Sequence, residues 1–386
     1  MRTANIAAGR LRDLGFEVTE QIGGTGVVGT LRRGEGPVVL LRADMDALPV
    51  AEDTGLPYTS HARGVDPDGR DVPVMHACGH DMHVTCLLGA VEVLAGDPGW
   101  SGTLVALFQP AEELGKGAVA MVGGGLYDAV PRPDVVLGQH VAPIPAGFIG
   151  LQPGPAFAAT DSLRVTLYGE GGHGSRPEAT VDPVVMAAAT VLRLQTVVSR
   201  EVAGSDTAVL TVGSMQAGTK ANIIPDEAEL LLNVRSYNPD VRERVLDAIS
   251  RIVAGEAQVA GATRAPAVMS IESSPAVVND EDATSRTRPA LEAVVGAGRV
   301  IDPGPVTGSE DVGVLATAAD APCVFWLLGG ADPAPFATCT SLDEIRTVVA
   351  SIPSNHSPRY APLIDPTIEV GVNALAAAAR SWLTES

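Results

Sequence analysis

The chain has 386 residues, of which 46% are apolar, so it can bury at least one large core. Its 46 acidic residues outnumber the 26 basic ones, and the formal net charge of −20 argues against a nucleic-acid partner, because phosphate binding needs basic surface. The sequence shows no signal-peptide core, no membrane-length apolar stretch and only four cysteines. We therefore expect a soluble, cytoplasmic protein with no membrane partner.

Helices and strands alternate along the first part of the chain. Apolar spacing predicts helices over 3–14 and 83–95, and apolar runs predict buried strands at 37–43, 103–109 and 134–141. This alternation is typical of an α/β domain with a mixed, largely parallel sheet flanked by helices. Polar residues at or just beyond strand ends occupy the place where such sheets carry their sites. These residues are Asp44, Glu112 and His140.

The pattern changes near residue 160. Strands are predicted at 162–170, 207–216 and 228–237, and helices at 181–199 and 239–256. This β-α-β-β-α order suits an inserted α+β sandwich. Near residue 271 we expect a return to loop, after which strands and helices alternate again. The simplest organisation is a catalytic domain in two parts, 1–159 and 271–386, interrupted by an inserted domain at 160–270.

Cys78 and His80 stand two residues apart at a predicted junction between a loop and a helix. In that position a thiolate and an imidazole can face one point, and the two donors together suit a first-row transition metal. The same pair also fits a buried cysteine beside a surface histidine. Neither interpretation is settled by these two residues alone.

Glu112 and Glu113 follow directly after the apolar strand at 103–109. Adjacent side chains point in different directions, so one carboxylate can bind a metal while the other acts as general base. Adjacent glutamates are otherwise usually solvated surface. His140 ends a predicted strand, and His356 lies in a polar loop much later in the chain. A structural explanation would have to hold for all of these residues at once, which favours a metal site.

Eight segments, in this order, resemble one family. It is the family of metal-dependent amidohydrolases that includes hippurate hydrolase, the plant indole-acetyl-amino-acid hydrolases and bacterial N-acyl-amino-acid deacylases. The segments are LRADMDALPV (41–50), MHACGHDMH (75–83), PAEE (110–113), GQH (138–140), GEGGHGSRPE (169–178), ANIIPDEAEL (221–230), GSEDVG (308–313) and NHSP (355–358). The resemblance implies hydrolysis of the amide bond of small-molecule N-acyl amino acids. It also implies a homodimer or higher homo-oligomer, with the inserted domain as lid and dimerisation domain.

The resemblance assigns roles to matching positions. It implies two divalent metal ions per chain, Mn2+ or Zn2+, with a bridging thiolate; the implied ligands are Cys78, His80, Glu113, His140 and His356. Glu112 looks like the general base. His173 resembles an inserted-domain histidine that polarises the scissile carbonyl in the partner subunit's site. Asn222 and Arg235 resemble polar residues near the substrate, and Arg235 is placed to pair with its carboxylate. Four nearby residues are expected to support the ligands: Asp44, Asp46, His76 and His83.

Two alternatives stay open. A dipeptidase or carboxypeptidase of the same clan would use the same metals, although that branch usually has an aspartate where this chain has Cys78. A catalytically silent metal-binding homologue would be expected to lack Glu112 or a ligand, and all of them are present. Members of the family usually begin with a further helix carrying a PEL-type motif, ahead of the segment that here starts TANIAAGRL. None of the candidate ligands lies in that helix.

Overall fold

The computed structural model describes residues 1–66 and 68–385, which form two compact units. Unit 1 contains Met1–Ala156, Val278–Pro305 and the chain from Asp311 onward, and unit 2 contains Phe157–Val277 and Val306–Glu310. Within the described residues the helices are α1 (Arg2–Asp13), α2 (His80–Gly96), α3 (Gly117–Gly123), α4 (Leu126–Ala129), α5 (Pro183–Arg200), α6 (Pro239–Val259), α7 (Glu281–Val295), α8 (Val312–Ala319), α9 (Leu342–Val349) and α10 (Thr367–Arg380).

The strands of the same residues are β1 (Glu17–Ile22), β2 (Gly26–Arg33), β3 (Val38–Asp44), β4 (Arg63–Val65), β5 (Asp71–Pro73), β6 (Trp100–Gln109), β7 (Val135–Pro145), β8 (Ile149–Gly150), β9 (Gly154–Phe157), β10 (Ala159–Tyr168), β11 (Gly172–His173), β12 (Ala208–Ala217), β13 (Ile223–Ile224), β14 (Glu227–Ser236), β15 (Ala267–Ser274), β16 (Val277–Asn279), β17 (Val300–Ile301), β18 (Cys323–Ala331) and β19 (Thr384–Glu385).

Unit 1 is built on a mixed sheet with the strand order β1-β2-β6-β3-β7-β18-β8-β17, and β19 adds to one end of β6. Its central strands run parallel: β3 pairs in parallel with both β6 and β7, and β7 pairs in parallel with β18. The carboxyl ends of β3, β6 and β7 therefore meet at one edge of the sheet. The predicted α/β class, with its mixed and largely parallel sheet, is confirmed.

Helices cover this sheet because its central strands are apolar on both faces. Alternate side chains of β3 and β7, such as Leu41 and Leu137, pack into one core with Leu87 of α2 and Leu375 of α10. The intervening residues, such as Leu40, are also fully buried. A sheet buried on both faces needs continuous apolar strands, which explains why the runs in these segments show no alternation with polar residues.

Unit 2 is an antiparallel sheet in the order β12-β14-β10-β15, with α5 and α6 packed on one face. Leu163 and Val165 of β10 share a core with Leu194 of α5 and Val245 and Ile249 of α6. Both helices begin at a polar cap followed by proline. The lid and dimerisation roles predicted for this part of the chain stay predictions.

The prediction of a loop near residue 271 is wrong. Residues Ala267–Ser274 form β15, which pairs along β10 at the edge of the unit 2 sheet. Met269 and Ile271 are more than 40% exposed, so the strand lacks the burial that gives a clear alternating pattern. Its place in the sheet depends on its pairing partner rather than on a local apolar signal.

Among the described helices, none combines the length and the apolar character needed to cross a membrane.

Candidate metal centre

Gly79 brings Cys78 and His80 against β7. It precedes α2 with a φ of +82°, a conformation that L side chains rarely adopt, and a Cβ at this position would lie 2.4 Å from Val141 Cγ1. Glycine therefore lets the loop turn tightly beside the strand that carries His140. Cys78 Sγ lies 3.5 Å from His140 Nε2, and His140 Nδ1 lies 2.8 Å from the carbonyl oxygen of Val141.

Asp46 orients His80. Its Oδ1 lies 3.1 Å from His80 Nδ1, so the opposite nitrogen, Nε2, points into the site. Within the described residues His80 Nε2 is buried and has no hydrogen-bond partner. Carboxylate oxygens surround it at distances too long for a hydrogen bond: Asp44 at 3.6 Å, Glu113 at 3.7 Å and Glu112 at 3.9 Å. A buried nitrogen of this kind is costly unless another group satisfies it.

Glu112 and Glu113 lie in a short 3-10 turn directly after β6. Ala111, which precedes them, has a φ of 53°, an uncommon conformation for a residue with a side chain. The Glu113 backbone N–H donates to Asp46 Oδ2 over 3.0 Å, so Asp46 holds this turn as well as His80. Glu113 Oε1 is a second buried atom that finds no hydrogen-bond partner among the described residues.

His356 enters the same site from a loop near the end of the chain. Its Nε2 lies 3.2 Å from Glu113 Oε2, and its backbone N–H donates to the carbonyl oxygen of Ala77 over 2.7 Å. Its φ of 71° is again in the left-handed region. Ala111 and His356 thus both adopt strained backbone conformations, which are common at functional sites.

These donors fit a divalent transition metal. The possible ligand atoms of Cys78, His80 and Glu113 all lie within 4.8 Å of one another. Ligands at roughly 2.0–2.3 Å from one tetrahedral ion are separated by roughly 3.3–3.7 Å. The separations of 3.5 Å between Cys78 and His140 and of 3.7 Å between His80 and Glu113 agree with that spacing. An ion would also satisfy the two buried atoms that lack partners.

His83 supports the site but is a poor ligand, although it lies within ligand distance of Asp44, His80 and His140. Its Nδ1 bonds to Asp44 Oδ1, and its Nε2 accepts the Val141 backbone N–H over 2.7 Å. Both nitrogens are therefore used, and His83 is the neutral tautomer with the proton on Nδ1. Burial agrees with this state, because it lowers the pKa of His83 to about 3.

Asp44 and Arg42 form a fully buried ion pair behind the site, with 2.9 Å between Arg42 Nη1 and Asp44 Oδ2. Burial opposes ionisation of Asp44, but the positive charges of His80 and Arg42 and the hydrogen bond from His83 hold its pKa well below the usual range. Asp44 is therefore ionised and engaged on both oxygens. This agrees with the supporting role that the resemblance implies.

The metal-free site carries protons at neutral pH. Burial lowers the pKa of His80, but the carboxylates of Asp44, Asp46 and Glu113 outweigh it and raise the value to about 9. Burial, followed by the charges of Glu113 and Glu112, raises the pKa of the Cys78 thiol. The hydrogen bond to Glu113 raises the pKa of His356. The excess of carboxylates thus creates a site that attracts positive charge.

The remaining candidate residues lie in unit 2. His173, on β11, is exposed, and its Nδ1 accepts the Ser175 backbone N–H over 3.1 Å. A backbone N–H can only donate, so neutral His173 carries its proton on Nε2. Asn222 lies beside it, and its backbone carbonyl oxygen accepts the Gly174 backbone N–H over 2.9 Å. The structure places Asn222 near His173, whereas Arg235 lies on β14 in the separate four-stranded sheet.

Arg235 is held by neighbours that the sequence interpretation did not name. Its Nε donates to Asn233 Oδ1 over 3.2 Å, and its Nη1 donates to the Thr307 carbonyl oxygen and to Ser309 Oγ over 2.6 and 3.1 Å. Asn233 precedes Arg235 by two residues on one strand, so the period of two could have indicated that both share a face. Ser309 belongs to the GSEDVG segment, for which the motif alone predicts no role.

Comparisons with known proteins point to the family that the sequence motifs indicate. Residues 40–353 match the profile of peptidase family M20/M25/M40. N-acetyl-L-cysteine deacetylase of Bacillus subtilis (strain 168) is 38% identical over 305 residues, which are 78% of this chain and 69% of that protein. Thermostable carboxypeptidase 1 of Saccharolobus solfataricus is 35% identical over 333 residues, which are 85% of this chain and 80% of that protein.

A solved structure supports the fold over nearly the whole chain. The Bacillus subtilis YXEP protein, described as a dinuclear metal-binding peptidase of the M20 family, has a TM-score of 0.75 and 26% identity. The comparison covers 98% of this chain and 90% of that protein. The family match spans most of the chain and includes four of the five candidate ligands. The fifth, His356, lies just beyond the matched residues. The chain therefore belongs to peptidase family M20/M25/M40, and it is a metal-dependent amide hydrolase.

Proposed function

We propose that the chain hydrolyses the amide bond of N-acyl amino acids and releases a carboxylic acid and a free amino acid. The observation that carries this proposal is Cys78, which stands among the buried donors where the peptidase branch usually has an aspartate. The similarity to N-acetyl-L-cysteine deacetylase, whose name describes removal of an acyl group from an amino acid, supports the same substrate class.

The proposed centre holds two divalent ions, Mn2+ or Zn2+. Thiolate, imidazole and carboxylate donors suit these metals. Cys78 Sγ lies 3.5 Å from His140 Nε2 and within 4.8 Å of the ligand atoms of His80 and Glu113, which supports the shared role that the resemblance implies for this thiolate. The complete proposed ligand set is Cys78, His80, Glu113, His140 and His356. Ions bound there supply Lewis-acid polarisation of the amide carbonyl and a lowered pKa for the attacking water.

Glu112 is the proposed general base. It lies in the same turn as Glu113, and its Oε2 is 3.9 Å from His80 Nε2, beside the proposed ligands. A carboxylate in that position can take a proton from the attacking water and pass it to the nitrogen of the leaving amino acid.

His173 is proposed to stabilise the oxyanion that develops on the scissile carbonyl, acting in the site of the partner subunit. Its tautomer supports this role, because the bond from Ser175 leaves the proton on Nε2, where it can be donated. One such donor contributes about 3 kcal/mol to transition-state stabilisation in comparable sites. Asn222 lies beside His173 and is proposed to contact the substrate with it.

Arg235 is proposed to bind the free carboxylate of the leaving amino acid. Its Nε and Nη1 are engaged by Asn233, Thr307 and Ser309, which fix the guanidinium plane. No described residue accepts a hydrogen bond from its Nη2, so one edge of the group remains for a ligand. A guanidinium held in this way is suited to a carboxylate.

The experiment compares an N-acyl amino acid with its carboxamide analogue, starting with N-benzoyl-glycine and the best substrate from a screen of N-acetyl, N-benzoyl and longer acyl amino acids. Loss of the carboxylate leaves the free edge of the Arg235 guanidinium without its partner, so we expect kcat/KM for the acid to exceed that for the amide by at least about 100-fold. The Arg235→Ala variant should abolish this preference. Arg251→Ala is the control, because Arg251 lies in unit 2 but pairs with Glu201 at the surface. Equal efficiencies for acid and amide would refute the carboxylate pocket.

A peptidase activity is the second candidate, because thermostable carboxypeptidase 1 is also a relative. The same assay includes dipeptides and a peptide with a free C-terminus. Higher kcat/KM on these peptides than on any acyl amino acid would favour the carboxypeptidase or dipeptidase alternative. Removal of metal with a chelator should abolish either activity, and full activity of metal-free protein would refute the mechanism.

We also propose a homodimer or higher homo-oligomer in the cytoplasm. The edge strand β15 of unit 2 exposes the apolar side chains of Val268, Met269 and Ile271, which a second copy could cover. None of the four cysteines forms a disulfide among the described residues, which fits a reducing compartment.

A further inference from the structure

Asn355 lies at the meeting point of three segments that carry proposed ligands. It directly precedes His356, and its side chain reaches the loop of Cys78 and the strand of His140. The sequence interpretation assigned roles only to its neighbour. All of these residues belong to unit 1.

The Asn355 amide nitrogen has three acceptors. It donates to the Cys78 carbonyl oxygen over 3.1 Å and to the Val141 carbonyl oxygen over 3.2 Å, and it lies 3.6 Å from Cys78 Sγ. Val141 is the residue after His140, and the Tyr360 hydroxyl donates to the same Val141 oxygen over 3.3 Å. One side chain thus ties together the backbone beside two ligands and approaches the sulfur of one of them.

The backbone of the same segment makes a further link. The His356 N–H donates to the Ala77 carbonyl oxygen, and His356 keeps a left-handed φ of 71°. Such a conformation persists only where surrounding contacts impose it. The Asn355 amide and the His356 N–H form that restraint, since they attach the late loop to the carbonyl oxygens of Ala77, Cys78 and Val141.

We propose that Asn355 is a positioning residue of the metal centre. Its amide fixes the distance of His356 and His140 from Cys78, and one of its two hydrogens is shared between a carbonyl oxygen and the Cys78 thiolate when the ions are bound. The inference rests on the proposed ligand set. It goes beyond that set because Asn355 is not one of the proposed ligands.

Two substitutions separate the donor from the shape of the side chain. Asn355→Ala removes the amide, whereas Asn355→Asp keeps the size and replaces both donor hydrogens with acceptors next to the sulfur and two carbonyl oxygens. The control is Asn279→Ala. Asn279 is fully buried in unit 1 and likewise bonds backbone groups, with its amide donating to the Gln152 and Phe325 carbonyl oxygens, but it touches no proposed ligand.

The experiment is titration of metal-free protein with Co2+, which gives both a Kd and an absorption band from charge transfer between thiolate and Co2+. Loss of a residue that orients a ligand typically weakens metal binding by about 10- to 100-fold. We expect at least a tenfold rise in Kd and a shifted or weakened thiolate band for Asn355→Ala, and a larger effect for Asn355→Asp. Asn279→Ala should leave both unchanged, even where it lowers stability.

The outcomes distinguish this inference from the proposed function. If wild-type protein shows no thiolate band, or keeps it in Cys78→Ser, the ligand set is wrong and the inference fails with it. If the band is present and depends on Cys78 but folded Asn355 variants keep Kd within about threefold of wild type and an unchanged band, only the role of Asn355 is refuted. Should Asn355→Ala not fold, the isosteric Asn355→Asp provides the test by itself.

Discussion

Glu112 and Glu113 are adjacent in the chain but have different neighbours. Glu113 is bound through its backbone N–H to Asp46 and through its carboxylate to His356, and one of its oxygens is buried without a hydrogen-bond partner among the described residues. Glu112 Oε2 is farther from His80 Nε2 than Glu113 Oε1 is, at 3.9 Å against 3.7 Å. These contacts of Glu113 support its proposed place as a ligand, with the adjacent Glu112 as the proposed base.

The first prediction concerns this division. Glu112→Gln keeps the shape of the side chain but removes the proton acceptor, so kcat should fall by at least about 100-fold while the metal content stays at the wild-type level. Steady-state kinetics and elemental analysis of the same sample measure both. Glu92→Gln, at an exposed ion pair with Arg10, is the control and should have wild-type turnover. Near wild-type turnover of the Glu112 variant would remove it from the mechanism.

The second prediction concerns protons. Metal binding requires neutral His80 and ionised Cys78, but in the metal-free protein the pKa of His80 is raised to about 9 and the pKa of Cys78 is also raised. Both groups are protonated at pH 7, so metal uptake must release protons, and the apparent affinity should rise as the pH increases toward 9. Calorimetric titrations in two buffers of different ionisation enthalpy measure the release. Identical heats in the two buffers would contradict the prediction.

At the level of elements, α6 shows how the chain begins a helix in unit 2. Asn238 accepts the Asp240 and Val241 backbone N–H groups over 2.8 and 3.4 Å, and Pro239 occupies the first helical position. Proline loses nothing there because its missing N–H would have no partner within the helix. α6 and α5 then cover one face of the sheet that carries Arg235.

The third prediction follows from this cap. Asn238→Ala should destabilise α6 by about 1 kcal/mol. Amide hydrogen exchange over 239–259, followed by mass spectrometry, should therefore be about fivefold faster, with turnover unchanged. Asn238→Asp keeps an acceptor at the cap and should exchange like wild type. If the alanine and aspartate variants exchange at the same rate, the cap contributes no stability to the helix.

At the level of the whole molecule, the proposed machinery is divided between the two units. The proposed ligands and Glu112 belong to unit 1, whereas His173, Asn222 and Arg235 belong to unit 2. Unit 2 is made from an internal stretch of the chain and one short later segment, Val306–Glu310, which brings Thr307 and Ser309 to Arg235. Whether a site takes His173 from a partner subunit can be tested by mixing two inactive variants.

The fourth prediction is complementation between subunits. Mixing His173→Ala with Glu112→Gln in equal amounts should restore up to about one quarter of wild-type activity after exchange, because half of the dimers are mixed and each has one intact site. His80→Ala mixed with Glu112→Gln is the control, since both defects fall on residues of unit 1 and no intact site can form. A fully active monomer, or no recovery after verified exchange, would contradict a role in trans.

Local patterns in the sequence predicted several of the longer elements. The strand predicted at 103–109 is β6, Trp100–Gln109, and the helix predicted at 239–256 is α6, Pro239–Val259. Apolar periodicity depends on neighbours in the chain, so it can be read without the fold. The segments with chemically distinctive residues likewise identified the family, because a specific order of cysteine, histidine and glutamate motifs is a property of the chain alone.

Tertiary structure decided what joins those segments. Asp46 holds both His80 and Glu113, and Asn355 attaches the loop of His356 to Cys78. The strand β15 joins its sheet by pairing with β10. These contacts connect residues far apart in sequence, and no periodicity or spacing encodes such distances. The sequence by itself determined which donors the chain carries and which elements present them. The packing of those elements determined which donors meet, because directed hydrogen bonds form only once the fold has brought their partners within about 3 Å.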